Sequence, residues 1–375
     1  MYHILTHPPT CNYGGILQAV ALQETVQSAG VSCKVLEYEA KDRLARKSSR
    51  RLIFRIRNLV SYLGTRMGIF RKRIPDAYVH LFFSAFKRKV MPFRHLDGNR
   101  AQLPELKIGT SFIVGSDQVW RCVYARNIES VPFFFLNFAT LEQRQRSIAY
   151  AASFGSDEWE GTPEETEECK RLIKDFKAIS VREHSGVDIC RDVFGVEAVQ
   201  MPDPTLLLEQ EDYNHLIRKW HTKSTNTPFM AVYLLDETEE KSQLTASICQ
   251  YSSLYAQHLM PHPGAEKLMD RLPLSIPQWL RFIRDSECVL TDSFHGCVFS
   301  IIFNKPFICL GNESRGRARF DSLLGTFGLQ DRLVTNPNPG EIQKLINTPI
   351  DWERVNTIRH HEQQRAFDFL HANLK

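Results

Sequence analysis

No apolar run in the sequence approaches the roughly 18 residues that would span a bilayer. No signal peptide is evident either, because Met1-Tyr2-His3-Ile4-Leu5 leads directly into strand-like sequence. There is no CxxC pair: nine cysteines, an odd number, are scattered along the chain. That pattern fits a reducing compartment better than a disulfide framework or a zinc site. GxGxxG is absent, so a dinucleotide is not expected, and neither an internal repeat nor a low-complexity stretch appears. What remains is ordinary globular composition, 43% hydrophobic and 24% charged, which excludes disordered and collagen-like chains. A length of 375 residues exceeds one ordinary core and suits two domains with a cleft between them. The expected location is cytoplasmic, with a peripheral place on the inner face of the membrane as the variant.

That variant comes from the charge. The net charge is +4, yet residues 41–100 hold 17 Lys and Arg against Asp42, Asp76 and Asp97, so this window carries +14 and the remainder −10. Leu52, Ile53, Ile56, Leu59, Val60 and Leu63 recur there at helical spacing, with Arg50, Arg51, Arg55 and Arg57 around them. A basic amphipathic segment of this kind can lie on an anionic membrane surface. It can equally be a helical excursion whose apolar face packs on its own domain. No recognition motif for nucleic acid accompanies the charge.

Strand and helix patterns alternate in two series, which implies parallel sheets with right-handed crossovers. The first has a strand at 2–6, a loop at 7–15, a helix at 16–29 and strands at 33–38, 111–114, 147–152 and 178–181. The second has strands at 229–235, 254–260, 288–290 and 306–310, and helices at 277–284 and 296–303. The expected fold class is α/β: two Rossmann-like domains facing a cleft, 1–208 and 209–350. A basic helical insertion lies in the first, and a C-terminal helix at 351–375 can cross back to it.

In such folds ligands bind at the carboxyl ends of the strands, which directs attention to five loops. Asn12-Tyr13-Gly14-Gly15 precedes a helix, and its glycines allow close backbone approach. Gly115-Ser116-Asp117-Gln118-Val119-Trp120 places hydrogen-bonding groups beside an indole, as a sugar platform would, or as an N-cap beside a core Trp would. Tyr150-Ala151-Ala152-Ser153-Phe154-Gly155 is small and tight, and Arg182-Glu183 is a charged pair after a buried strand. Thr291-Asp292-Ser293-Phe294-His295-Gly296 sets an imidazole at a helix mouth, where free N–H groups attract anions. Beyond them Arg315, Arg317 and Arg319 can hold a carboxylate or phosphate. His7 and the pair His360-His361 have no metal-like spacing and are expected to be structural or on the surface.

These stretches in this order, together with Asp203-Pro204-Thr205-Leu206-Leu207 and Arg319-Phe320-Asp321-Ser322-Leu323-Leu324, resemble the polysaccharide pyruvyl transferase family. The resemblance implies a fold like the two-domain GT-B glycosyltransferases and phosphoenolpyruvate as donor. It also implies a pyruvate ketal on a sugar of a surface polysaccharide or its lipid-linked precursor. His295 matches the family's cleft-facing histidine at the donor site. Some branches carry arginine two residues earlier, where this chain has Ser293, so the donor's cation must come from Arg182, Arg317 or Arg319. Ketal formation needs an acid, for which His295 is the candidate, and an acceptor-side base, for which Asp117 is the candidate. The donor set is Thr291, Ser293, His295, Gly296, Arg182, Arg317 and Arg319. The acceptor set is Asn12, Tyr13, Gly14, Gly15, Ser116, Asp117, Gln118, Trp120 and Ser153. No metal or cofactor is required. The alternatives are a nucleotide-sugar glycosyltransferase of the same architecture and a non-catalytic carbohydrate-binding protein.

Overall fold

The computed structural model describes residues 1–8, 12–37, 86, 93–95, 110–220, 222, 224–261, 273–311, 316–335 and 337–374. Most of the basic segment at 41–100 therefore lies outside the described residues, as does Arg315.

Among the described residues, twelve strands form two sheets, and every pairing is parallel. The first contains β1 (Tyr2–Leu5), β2 (Cys33–Glu37), β3 (Phe93–His95), β4 (Ser111–Val114), β5 (Ile148–Ala152), β6 (Ala178–Val181) and β7 (Val199–Gln200). Its order is β3-β2-β1-β4-β5-β6-β7. The second contains β8 (Phe229–Tyr233), β9 (Tyr255–His258), β10 (Cys288–Thr291), β11 (Phe307–Leu310) and β12 (Leu333–Val334), in the order β12-β11-β10-β8-β9. The central strands β4, β5, β8, β10 and β11 are buried along their whole length. That is why their sequences read as unbroken apolar runs rather than as alternation. The two-domain Rossmann-like expectation holds.

Two helices begin earlier than their sequence patterns suggest. The first, α1, spans Tyr13–Ser28, because the Asn12 carbonyl already accepts from the Ile16 N–H at 3.0 Å. Thus Tyr13, Gly14 and Gly15 are its first turn rather than a loop. In the second domain α2 spans Phe294–Ile302, with the Ser293 carbonyl accepting from the Cys297 N–H. His295 is therefore the second helical residue, and the helix mouth lies at Phe294, two residues before Gly296.

One apolar cluster runs through both domains, from Ile4, Ile16 and Ile113 to Trp279, Val289 and Phe299. At the junction the Tyr13 ring stacks on Trp279 (5.2 Å, 6°), and its hydroxyl donates to the Leu274 carbonyl at 3.0 Å. The last helix, α3 (Trp352–Asn373), reaches the first domain. Lys177 Nζ donates to the Asn373 carbonyl, and Gln363 Nε2 donates to the Leu206 carbonyl. Among the described residues, no helix is long and apolar enough to cross a membrane.

Candidate active site

The carboxyl ends of the two sheets meet around one buried carboxylate. Asp203 follows β7, and its side chain caps the short turn Pro204–Leu207 by accepting from the Thr205 N–H (3.0 Å) and Oγ1 (2.7 Å). The other oxygen, Oδ2, accepts from Arg182 Nη1 at 2.8 Å and from Ser116 Oγ at 3.3 Å. His295 Nε2 stands 3.7 Å from the same oxygen, an ion-pair rather than a hydrogen-bond separation. Burial alone would raise the Asp203 carboxyl. His295, Arg182 and Thr205 outweigh it and hold the group far below the usual carboxylate range. Ser116 and Arg182 thus come together with His295 across the domain boundary. Asp203, which entered the sequence reading only within the stretch Asp203–Leu207 of the family resemblance, is their hub.

A second set surrounds Asp117. Its Oδ1 accepts from the Gln118 N–H at 2.8 Å, and its main-chain carbonyl accepts from Ser153 N. His7 Nδ1 lies 3.8 Å from Asp117 Oδ2, so His7, expected to be structural or on the surface, belongs to the site's edge. Burial opposes ionisation of Asp117, but His7, Arg182 and His295 outweigh it and the carboxyl is lowered. Burial pushes the His7 imidazole down, with Asp117 partly opposing. Glu183 is also buried: its Oε1 accepts from Ser153 Oγ (2.9 Å) and from the Gly155 N–H (2.8 Å), which ties two strand-end loops together.

The cations are Arg182 and Arg319. Their guanidinium carbons lie 4.6 and 5.5 Å from the centre of the Phe294 ring. Arg319 is buried in α4 (Arg317–Phe327), and burial together with the nearby Arg182 lowers it to about 10, so it stays charged at neutral pH. Arg182 Nε and Nη2 and His295 Nε2 are buried and have no hydrogen-bond partner among the described residues. Buried donors left open are uncommon in a folded chain and point to an anionic or polar ligand. Arg317, by contrast, is exposed and paired with Asp321 one turn along.

The remaining candidates divide between the site and its scaffold. The Thr291 hydroxyl donates to the Tyr233 carbonyl and accepts from the Ser293 N–H, so it shapes the loop, and Gly296 packs directly on it. Ser293 is buried, and its side chain makes no cap on α2. Asp292 accepts from Leu235 N, Asp236 N and Lys241 Nζ, fixing β8 to β10 at the site's floor. Gln118 bonds to Arg121, and its amide packs on Gly155. Asn12 is exposed beside Gly15. Trp120 departs from the sugar-platform expectation: it is 0% exposed, its N–H donates to the Phe134 carbonyl and its ring stacks on Phe135. A fully buried indole with a satisfied N–H is core. Tyr13 is likewise used at the domain junction.

Gly14 and His295 show how tightly the domains meet. A Cβ on Gly14 would fall on the imidazole, 2.6 Å from Cε1 and closer still to Nδ1 and Cγ. The Gly316 Cα faces the Gly155 carbonyl with no room for a side chain, and the His184 N–H donates to Ser322 Oγ at 2.9 Å. A cavity of about 20 Å³ lies behind Asp203, lined by Arg182, Pro202, Phe294 and Arg319 among others. Among the described residues, no group of three or more His, Cys, Asp or Glu side chains could hold a metal ion. Cys33, Cys122, Cys190 and Cys288 are buried thiols pushed up to about 12, which argues against a thiolate nucleophile at these four positions.

Residues 12–314 match the family model of polysaccharide pyruvyl transferase. The chain belongs to the polysaccharide pyruvyl transferase family. It is accordingly a transferase enzyme, with polysaccharide pyruvyl transfer as its general activity. No curated protein matches the chain in sequence. Solved structures similar to it include UGT89C1 of Arabidopsis thaliana complexed with UDP-L-rhamnose, at 9% identity and a TM-score of 0.46, covering 100% of this chain and 99% of that one. Os79 from O. sativa gives 10% identity and 0.41, covering 99% and 95%. The lipopolysaccharide heptosyltransferase II of E. coli gives 10% and 0.36, covering 96% and 99%.

Proposed function

We propose that this transferase moves the enolpyruvyl group of phosphoenolpyruvate onto a sugar of a surface polysaccharide or its lipid-linked precursor, closing a pyruvate ketal and releasing phosphate. The observation that carries this is the meeting of His295, Arg182 and Arg319 in one buried place drawn from both domains, with open N–H donors on Arg182. The donor has two anionic groups, a carboxylate and a phosphate, and guanidinium forks suit both.

Each residue then has a chemical task. Arg182 and Arg319 hold the two anions, helped by the open N–H groups of the first turn of α2 and by Ser293. His295 gives a proton to the methylene carbon, which makes C2 oxocarbenium-like, and the first sugar hydroxyl adds there. Asp117 takes that hydroxyl's proton. A second hydroxyl attacks C2, the bond from C2 to the phosphate oxygen breaks, and the ring closes. The two hydroxyl protons end on the methyl group and on the released phosphate, so the reaction balances without a cofactor. Asp203 does not touch the reacting atoms in this scheme; it holds Arg182, Ser116 and the His295 ring in register.

Phosphate release from phosphoenolpyruvate, measured with a panel of gluco-, galacto- and mannopyranosides, tests the proposal. Release with at least one acceptor, lost in His295→Ala while the melting temperature stays within a few degrees, is the expected result. Full release by the variant would remove His295 from the chemistry.

A further inference from the structure

His7 and Asp117 meet at the ends of neighbouring strands. β1 and β4 run side by side with Leu5 opposite Val114, and the Gly115 N–H donates to the Leu5 carbonyl at 2.9 Å. The chain thus leaves both strands at one level, which brings His7 beside Asp117. His7 Nδ1 stands 3.8 Å from Asp117 Oδ2, and the two side chains are 15% and 11% exposed. Phe134 (5.4 Å, 70°) and Tyr124 (6.2 Å, 82°) meet the imidazole edge-on and wall it in. The Gln118 N–H occupies Asp117 Oδ1, whereas Oδ2 accepts no hydrogen bond among the described residues. His7 Nε2 is likewise buried with no hydrogen-bond partner there.

An acceptor-side base has to part with the proton it captures. Burial would raise the Asp117 carboxyl, but His7, Arg182 and His295 outweigh it and hold it below the ordinary range. Such a carboxylate is a weak base that gives up a proton readily near neutral pH. The group facing its open oxygen is the His7 imidazole. Burial pushes that ring below its ordinary value, with Asp117 opposing and Arg182 assisting, so at pH 7 it is neutral and offers a nitrogen lone pair. Once protonated it faces the restored carboxylate, a pairing that favours the charged form.

We propose that His7 is a positioning residue acting through Asp117: its Nδ1 draws off the proton that Asp117 takes from the sugar hydroxyl, which restores the carboxylate within the same turnover. This rests on the reading of Asp117 as acceptor-side base. The sugar O–H bond breaks as an Oδ2–H bond forms. That bond breaks in turn as Nδ1–H forms, the two groups closing from 3.8 Å to hydrogen-bond distance. Imidazolium and carboxylate replace imidazole and carboxylic acid, so no charge is created or lost. After product release the Nδ1 proton passes to solvent, from which His295 regains the one it gave.

Phosphate release with the gluco-, galacto- or mannopyranoside that supports it, beside calorimetric titration with phosphoenolpyruvate, tests this on the full chain. The variants are His7→Asn, His7→Gln, Asp117→Asn and the double variant His7→Asn/Asp117→Asn. Asparagine keeps a hydrogen-bonding nitrogen near the place of Nδ1 but takes up no proton. Proton transfer by a positioned group contributes roughly a hundredfold or more, so each His7 variant should lose about that much kcat while donor affinity stays within about twofold. Residues that act as one unit are not additive, so the double variant should be about as slow as Asp117→Asn alone, not slower by about a further hundredfold. Full turnover in His7→Asn overturns the proposal, because orienting Asp117 would then suffice. So do losses that multiply in the double variant, and so do His7 variants whose melting temperature and donor affinity fall together with the rate, since His7 would then be a packing residue. Full turnover in Asp117→Asn, or no release by the natural chain with any acceptor, sinks the underlying reading and this inference with it. Both of those failures appear without touching His7, so they are distinguishable from its own.

Discussion

Gly14→Ala offers a test in which local and tertiary physics have opposite signs. Position 14 lies in the first turn of α1, where alanine outranks glycine by roughly 1 kcal/mol in helix propensity. Considered alone, the helix should gain stability. The added methyl, however, would stand 2.6 Å from His295 Cε1 and nearer to Nδ1 and Cγ, where ordinary contact begins at 3.4 Å. The ring must retreat by about 1 Å or more, or the two domains must part by as much; a shift of that size at a reacting group typically costs about a hundredfold in rate. Retreat also takes Nε2 away from Asp203, already 3.7 Å distant. Expected, then, is a folded variant whose phosphate release falls by about two orders of magnitude. Its melting temperature should be no higher than that of the natural chain. Full activity together with a raised melting temperature would show that the helix term wins, and that His295 is not pressed against α1 in the working enzyme.

Asp203→Asn removes the charge that holds Arg182, and stranding a buried ion costs about 3–5 kcal/mol. The Asp203 carboxyl sits far below its unfolded value near 4, so its contribution is present above that value and is lost as the pH falls beneath it. Denaturant melts should therefore show a large gap between the natural chain and Asp203→Asn at pH 7 that narrows at pH 3; an equal gap at both would place the stabilisation elsewhere. Arg319→Ala and Arg317→Ala form a contrasting pair. The first should weaken phosphoenolpyruvate binding by tenfold or more, at about 1.4 kcal/mol per decade. The second breaks only an exposed pair one turn apart, worth about 0.3–0.5 kcal/mol, and should bind normally. Equal effects would return Arg317 to the donor site.

Much of the architecture was legible because buried parallel strands announce themselves as short apolar runs between helical patterns. The exceptions have physical causes. β3, β7 and β12 are only two or three residues long, too short for any periodicity. Gly14 and Gly15 read as a loop because glycine is a poor helix former, whereas at position 14 the contact between α1 and His295 is what requires it. The strand-end rule found the loops that carry Ser116, Arg182 and His295 because each follows a strong strand. It passed over Asp203 because Asp-Pro-Thr is also a turn signature, and the residue does cap a turn while it serves the site. Weighing the strand end at 199–200 beside 178–181 would have placed Asp203 next to Arg182. For Trp120 the sequence allowed both a platform and a core position, and only the packing of Phe134 and Phe135 decides between them. His7 could not have been chosen, since its significance lies in a partner 110 positions away.

Thermal-shift titration with phosphoenolpyruvate, run beside a panel of nucleotide sugars, most directly tests the central claim. A ligand that binds only the folded chain raises the melting temperature by mass action, by an amount that grows with concentration over Kd. The expected outcome is a shift with phosphoenolpyruvate that is lost in His295→Ala, and none with the nucleotide sugars. A shift with a nucleotide sugar and none with phosphoenolpyruvate would contradict the donor assignment and make the buried arginines the site of a different anion.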